Sequence, residues 1–185
     1  MMTLGRELMD NIHTARCGVI PFCIAQNSVH FLVGLDKRFS EVTDMGGCVK
    51  SNEKTLYGGL RELHEESRGV FDNIRIQDLE MQIALVDRNK RMSVIFLPVK
   101  YECKDEIIVN FTNNAKLVQG YGKKKRKAFD ELSDLMWVND EVFIRWIHGQ
   151  TYINEPPMWD RFSKFFRHVI RYQPSFINAL KTISY

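Results

Sequence analysis

What the chain lacks narrows it first. Its four cysteines, Cys17, Cys23, Cys48 and Cys103, contain no C-x-x-C pair, and the nearest two have five residues between them. That spacing argues against a zinc knuckle and for a reduced, intracellular compartment in which the thiols are buried or idle. No apolar run is long enough to span a bilayer; "VIFLPV" (94–99) is among the longest. The first sixteen residues lack the apolar region of a signal peptide. There is no internal repeat, no low-complexity tract and no clear linker. Charge of one sign is not in excess either. A net charge of +3 is too small to argue for nucleic acid, so the placement of charge matters more than its sum. These absences predict a soluble, non-secreted, cytoplasmic protein with no membrane partner.

What remains is ordinary globular composition, 44% hydrophobic and 26% charged over 185 residues, which favours one domain with a sizeable core. Residues 4–12 read as a short amphipathic helix. "ARCGVIPFCIA" and "VHFLVGLD" read as two strands across a tight turn at "QNS". Gly46-Gly47 marks a turn or a close backbone approach. "IRIQDLEMQIALV" and "MSVIFLPVKYE" are strand-like about the polar turn "DRNKR", and "IIVNFT" reads as a further strand. "GYGKKKRK" (120–127) reads as a mobile, solvated loop, "LSDLMWV" as a strand and "DEVFIRWIH" as a helix. Pro156-Pro157 marks a helix start, followed by an apolar stripe of Met158, Phe162, Phe165, Phe166, Val169 and Ile170 that reads as core packing. Mixed strands and helices around one sheet make the class α/β or α+β.

Residues 53–67 carry the chemistry. At about 100° per residue, Leu56, Leu60 and Leu63 form a narrow buried stripe, and Glu62, Glu65 and Glu66 cluster roughly opposite it. Carboxylates at i, i+3 and i+4 repel one another by a few tenths of a kcal/mol per pair. In a desolvated cleft one would take up a proton, unless a hard divalent cation such as Mg²⁺ or Mn²⁺ offset the charge. Gly58 and Gly59, each costing about 1 kcal/mol in a helix, imply that a neighbouring backbone or a ligand comes close. The competing reading is a solvated acidic face with tolerated glycines.

From Gly47 the chain reads G-x5-E-x7-R-E-L-x-E-E, with Glu53, Arg61, Glu62, Leu63, Glu65 and Glu66 in register. This resembles the Nudix box of the Nudix hydrolases. A chance match over all start positions is on the order of 10⁻⁵. The family's pattern ends E-E-x-G, whereas here the glycine is Gly69, one residue late; a last helical turn longer by one residue is the expected effect.

The resemblance covers roughly residues 14–148. It leaves 1–13 as an N-terminal helical extension and 149–185 as a C-terminal helical extension packed on the same domain. It implies an α/β fold, a Nudix-type α/β/α sandwich with a mixed sheet and an added C-terminal helical segment. It also implies hydrolysis of a diphosphate linkage in a nucleoside diphosphate derivative with Mg²⁺ or Mn²⁺. By matched position, Glu62, Glu65 and Glu66 would be metal ligands, with the Gly47 carbonyl beside them, and Glu65, Glu66 and Arg61 would serve catalysis. Glu53 would pair with Arg61 and hold it. Family members often take a further glutamate near the final strand as general base; Glu131 fits, with Asp130 and Glu102 as alternatives.

The cations Lys123, Lys124, Lys125, Arg126 and Lys127 lie just upstream of Glu131. They read either as a solvated run or as a collar for a polyanion, with Tyr121 available to stack on a base. Capped RNA and phosphorylated inositols would suit such a collar, so a phosphorylated nucleotide or the 5′ cap of RNA is the expected substrate, with ADP-ribose and dinucleoside polyphosphates close behind. A catalytically silent RNA-binding module is the reading from another class. His64 sits at the variable position of the box and reads as surface; His30 and His168 have no second ligand at metal spacing.

Overall fold

The computed structural model describes residues 1–89, 91–172 and 175–183. Lys90 of the expected "DRNKR" turn, and residues 173, 174, 184 and 185 of the expected C-terminal extension, lie outside the described residues. The chain opens with a short strand, β1 (Met2–Leu4), paired antiparallel with a later strand, before the short helix α1 (Gly5–Asp10). The predicted hairpin forms as β2 (Arg16–Ala25) and β3 (Ser28–Asp36). Its two turn residues, Gln26 and Asn27, have φ of 50° and 63°, as a tight turn matched to strand twist requires.

The hairpin pairing runs only from Phe22–Ala25 to Ser28–Phe31. Beyond it, residues 42–48 come between the strands: β4 (Val42–Thr43) pairs with β3, and β5 (Met45–Cys48) pairs with β2. Gly46 lies in that strand rather than in a turn. A Cβ there would overlap the backbone of Gly18, so this is a close approach of two chains.

After β5 comes helix α2 (Thr55–Glu66), then α3 (Ile76–Glu80), β6 (Ile83–Asp87) and β7 (Met92–Pro98). Five of the thirteen residues of "IRIQDLEMQIALV" are therefore helical. Asp78 explains it locally, because its carboxylate accepts from the Arg75 backbone N–H at 2.7 Å and caps the turn. Strand β7 runs parallel to β2 and antiparallel to β6. A turn of 3₁₀ helix at Tyr101–Cys103 leads into α4 (Lys104–Gln119). The expected strand "IIVNFT" is thus helix: Ile107, Phe111 and Val118 share one buried face, and that packing overrides the β-branched content.

The basic run is also helix, α5 (Lys123–Phe129), not a loop. Lys and Arg are good helix formers, and Lys125 sits 4.0 Å from the Tyr121 ring centroid and 5.2 Å from that of Phe129. Then follow β8 (Leu132–Asn139), α6 (Asp140–Ile147), α7 (Asp160–Tyr172) and α8 (Phe176–Lys181). Strand β8 pairs with β3.

The result is an α/β fold with one mixed sheet covered on both faces. Strand β2 shows how: Ile20 and Phe22 point into one core, Cys17 and Val19 into the other. The first core is aromatic and holds Phe31, Phe96, Phe143, Phe162, Phe165, Phe166 and Phe176 under α6 to α8. The predicted stripe of α7 lies here, although the helix begins at Asp160 rather than at the prolines. The second core lies under α1 to α4. The thiols divide as well. Cys17 and Cys23 are buried, Cys103 is half-buried and Cys48 is exposed, so only two fit a buried role; burial pushes the Cys17 thiol up to about 12. Among the described residues no helix is long and apolar enough to cross a membrane.

Phe166 touches Phe96, Phe143, Phe162 and Phe165, with ring centroids between 4.8 and 6.3 Å. Phe166→Ala should therefore lower unfolding free energy by about 3–5 kcal/mol in urea melts. A cost below about 1 kcal/mol would show that α7 is not part of the cooperative core.

Candidate functional site

Helix α2 places the carboxylates, and its glycines let it sit where it does. A Cβ on Gly59 would come 2.8 Å from Cys17 Sγ on β2, and one on Gly58 3.0 Å from Val49. The room these glycines make is taken by the protein itself, not by a ligand. Leu56 and Leu63 are fully buried in the second core, which fixes the rotation of the helix and turns Glu62 and Glu66 toward β5.

Arg61 organises the acidic side. Its guanidinium binds Glu53 bidentately, Nε to Oε1 and Nη2 to Oε2 at 3.0 Å each, and donates to the Cys48 carbonyl at 3.0 Å. It also reaches Glu62 at 2.6 Å and Glu65 at 3.2 Å. Glu53 is fixed further by the Lys50 backbone N–H. Burial alone would raise the Glu53 pKa, but its bonds to Arg61 outweigh this and lower it; the same bonds raise the pKa of Arg61.

Glu62 is raised by burial, which the pull of Arg61 only partly offsets. Glu66 lies deeper, against the same strand β5. It is 5% exposed and accepts from the Gly46 N–H at 2.7 Å. Burial, followed by repulsion from Glu62, holds its pKa well above the usual carboxylate range. Gly47 lies against Glu62, since a Cβ there would overlap the carboxylate. As arranged, with Arg61 holding Glu62 and Glu65, no group of three or more His, Cys, Asp or Glu side chains among the described residues is set to hold a metal ion.

Helix α5 completes a cleft. Arg61, Glu62, Glu65, Lys124, Lys125, Phe129 and Glu131 line a cavity of about 790 Å³, with Gly47 and Cys48 at its edge. Lys123, Arg126 and Lys127 face a neighbouring groove with Asp36, Phe39 and Glu131. The five cations therefore divide between two surfaces that meet at Glu131. Burial, then the charge of Glu62, raises the Glu131 pKa, although much of the residue is open to water. Asp130 is engaged elsewhere, with Lys37 at 2.7 Å and Arg68 at 3.4 Å. Glu102 lies in the 3₁₀ turn and lines neither cavity. Tyr121 also stays outside both: its ring packs edge-on to Phe129, 5.3 Å between centroids, beneath Lys125. His64 contacts the Ile74 carbonyl at 3.2 Å; His30 is half-buried beside Tyr101, and His168 lies on the exposed face of α7, 4.0 Å from Asp87.

Three residues at the site carry no sequence signal of their own. Arg16 on β2 and the fully buried Asp44 form a bidentate pair, and Arg16 also donates to the Gly46 carbonyl at 2.9 Å. The attraction of Asp44 outweighs burial and raises the Arg16 pKa. Trp159 places its ring 5.1 Å from that guanidinium. The acid that pairs Arg16 lies 28 residues away and Trp159 lies 143 away, so only the fold brings them together.

The end of α2 corrects the expected longer last turn. The helix stops at Glu66, and Arg68 itself takes the left-handed conformation with φ 55°, followed by Gly69 at φ 80°. A non-glycine residue there costs roughly 1–2 kcal/mol. The Arg68 side chain offsets this. It lies 4.0 Å from the Phe111 ring centroid, donates to the Leu132 carbonyl at 2.7 Å and reaches Asp130. The late glycine thus leaves room for an arginine that ties α2 to α4 and to the chain beside Glu131.

No protein-family model matches the chain, and no curated protein matches it in sequence. Among solved structures it is similar to an Ap4A hydrolase of C. elegans in a binary complex, at 12% identity and a TM-score of 0.41, over 88% of this chain and 99% of that one. It is similar to RenU, a Nudix hydrolase of M. smegmatis, at 9% identity and a TM-score of 0.45, over 89% and 88% of the two chains. A MERS1–RNA complex of T. brucei gives 11% identity and a TM-score of 0.40 over 89% of this chain and 65% of that one. At these values no residue's role passes from those proteins to this one.

Arg68 yields a paired prediction. Arg68→Ala should destabilise by about 2–3 kcal/mol in urea melts, because the Leu132 carbonyl loses a charged partner while the backbone cost remains. Arg68→Gly should recover about 1 kcal/mol of that loss. Equal stability of the two variants would show that the left-handed conformation carries no cost here.

Proposed function

We propose that the protein is a divalent-metal-dependent hydrolase of diphosphate linkages in nucleoside diphosphate derivatives. The observation that carries this is the cleft in which Glu62, Glu65 and Glu131 face Lys124 and Lys125. Carboxylates that suit a cation and lysines that suit phosphate share one 790 Å³ space. A silent RNA-binding module would need the cations, but would have no use for a cluster of partly desolvated carboxylates.

The donor set fits Mg²⁺ or Mn²⁺: it is all oxygen, and burial raises both Glu62 and Glu66, a cost that a positive ion would relieve. Glu62, Glu65 and Glu66 would hold the ion, Arg61 giving up Glu62 and Glu65 to it, with the Gly47 carbonyl beside them. When bound, such an ion neutralises phosphate oxygens and acidifies water. Arg61 would keep its bidentate grip on Glu53 and the Cys48 carbonyl, and so hold the start of α2 against β5. Glu131 is the proposed general base, taking a proton from the attacking water; its raised pKa suits that task, and Asp130 is already committed to Lys37 and Arg68. Lys124 and Lys125 would meet the charge on the phosphates.

The division of α5 between two surfaces favours a long anionic substrate, of which capped RNA is the example we propose. One row of cations faces the cleft and the other continues along the neighbouring groove.

A panel of capped RNA, ADP-ribose, dinucleoside polyphosphates, nucleoside triphosphates and inositol pyrophosphates, each with Mg²⁺ and Mn²⁺, tests the reaction. Glu65→Gln and Glu66→Gln should each lower turnover at least about 100-fold without loss of fold. Unchanged turnover in both would remove the metal-ligand assignment. Glu131→Gln should cost about 100-fold in kcat, and full activity would shift the base elsewhere. Neutralising residues 123–127 should raise KM for capped RNA by roughly tenfold or more and ADP-ribose far less. An equal effect on both would remove the case for a long polyanion.

A further inference from the structure

Gly47 and Cys48 line two cavities at once. One is the carboxylate cleft; the other, of about 640 Å³, lies toward the C-terminal helix α7. The second has a distinct chemistry. Buried Met92 and half-buried Trp159 supply an apolar surface, and exposed Arg91, Arg161 and Lys164 supply positive charge. Trp159 is held firmly: its backbone N–H bonds to the Val42 carbonyl at 2.8 Å, and Arg16, itself pinned by Asp44, lies over its ring. Lys164 is paired with Asp160 at 2.7 Å. Arg91 and Arg161 pair with no carboxylate among the described residues, so their charge is available to a ligand.

The combination selects a ligand class. An inositol polyphosphate or inorganic polyphosphate would use the cations and leave the apolar surface wet. A neutral apolar molecule would use the surface and leave the arginines idle. A nucleotide uses both, because a base has an apolar face to lay on an indole while its phosphates meet guanidinium groups. Gly47 and Cys48 border both cavities, so a ligand held in one lies beside the other.

We propose that this cavity is the nucleoside subsite, taking the base against Trp159 and phosphate charge at Arg91 and Arg161, with the diphosphate reaching past Gly47 and Cys48 into the carboxylate cleft. The subsite rests on the hydrolase reading for the direction of the diphosphate, but nucleotide binding itself requires no turnover.

Calorimetry on the full chain separates the two. The probes are methylene-bridged ADP and GDP analogues, with methylenediphosphonate as the base-free control. The wild type should bind the nucleotides more tightly than the control. Trp159→Ala should weaken the nucleotides roughly 10- to 100-fold and leave the control nearly unchanged, while Arg161→Glu should weaken both. Nucleotide affinity unchanged in Trp159→Ala overturns the proposal, as does wild-type affinity no greater than that for the control. Trp159 also packs on the aromatic core, so thermal melts accompany each variant. If Trp159→Ala does not fold, exposed Arg161 decides: loss of roughly tenfold or more in Arg161→Glu supports the subsite, and none overturns it. Turnover at unchanged KM in Trp159→Ala removes the subsite and leaves the hydrolase standing. Binding that depends on Trp159 in a protein that cleaves no diphosphate does the reverse.

Discussion

One guanidinium holds the acidic side of this molecule together. Arg61 touches Glu53, Glu62, Glu65 and the Cys48 carbonyl, and so joins the loop before α2, the helix itself and strand β5. Three carboxylates around one cation leave an excess of negative charge in a partly desolvated place. That excess has two visible effects. It contributes to the raised pKa of Glu131, and Glu62 adds to the raised pKa of the more deeply buried Glu66. Helix α5, with its run of lysines, settles opposite the same excess.

The sheet makes that arrangement possible by opening. Strands β2 and β3 pair for four residues each and then part, and the segment 42–48 enters between them. The buried Asp44 sits in the gap and holds Arg16, while Gly46 and Gly18 allow the backbones to meet. Both faces of the sheet are then covered, one by an aromatic core and the other by the leucines of α2, so the carboxylates are presented at the split edge.

Local pattern carried much of this architecture, and the exceptions have physical causes. The hairpin, α2, β7, β8 and α6 each show a clear period, and each formed. Ile107–Phe111 looks extended because isoleucine and valine favour strands, yet Phe111 is buried at a spacing that serves a helix and receives Arg68. The run 123–127 looks like a loop because like charges repel, but Tyr121 and Phe129 flank Lys125 at helical spacing. At the site, the spacing of Glu62, Glu65 and Glu66 could be read directly, since one helix sets it. Arg16, Asp44 and Trp159 could not, because their meeting depends on strands closing over tens of residues. Gly58 and Gly59 could be read as a close approach, but not as an approach by Cys17 and Val49.

The bridge between Val42 and Met158 has a temporal side. Val42 N–H bonds to the Pro157 carbonyl and Trp159 N–H to the Val42 carbonyl, so the stretch at 157–159 closes onto a strand laid down more than a hundred residues earlier. A chain emerging from the ribosome can form the hairpin, α2 and the Arg61 cluster well before this stretch exists. The wall that Trp159 provides is therefore built after the acidic cluster it adjoins. Until then the acidic helix stands without it, and the aromatic core beneath α7 and α8 is still incomplete.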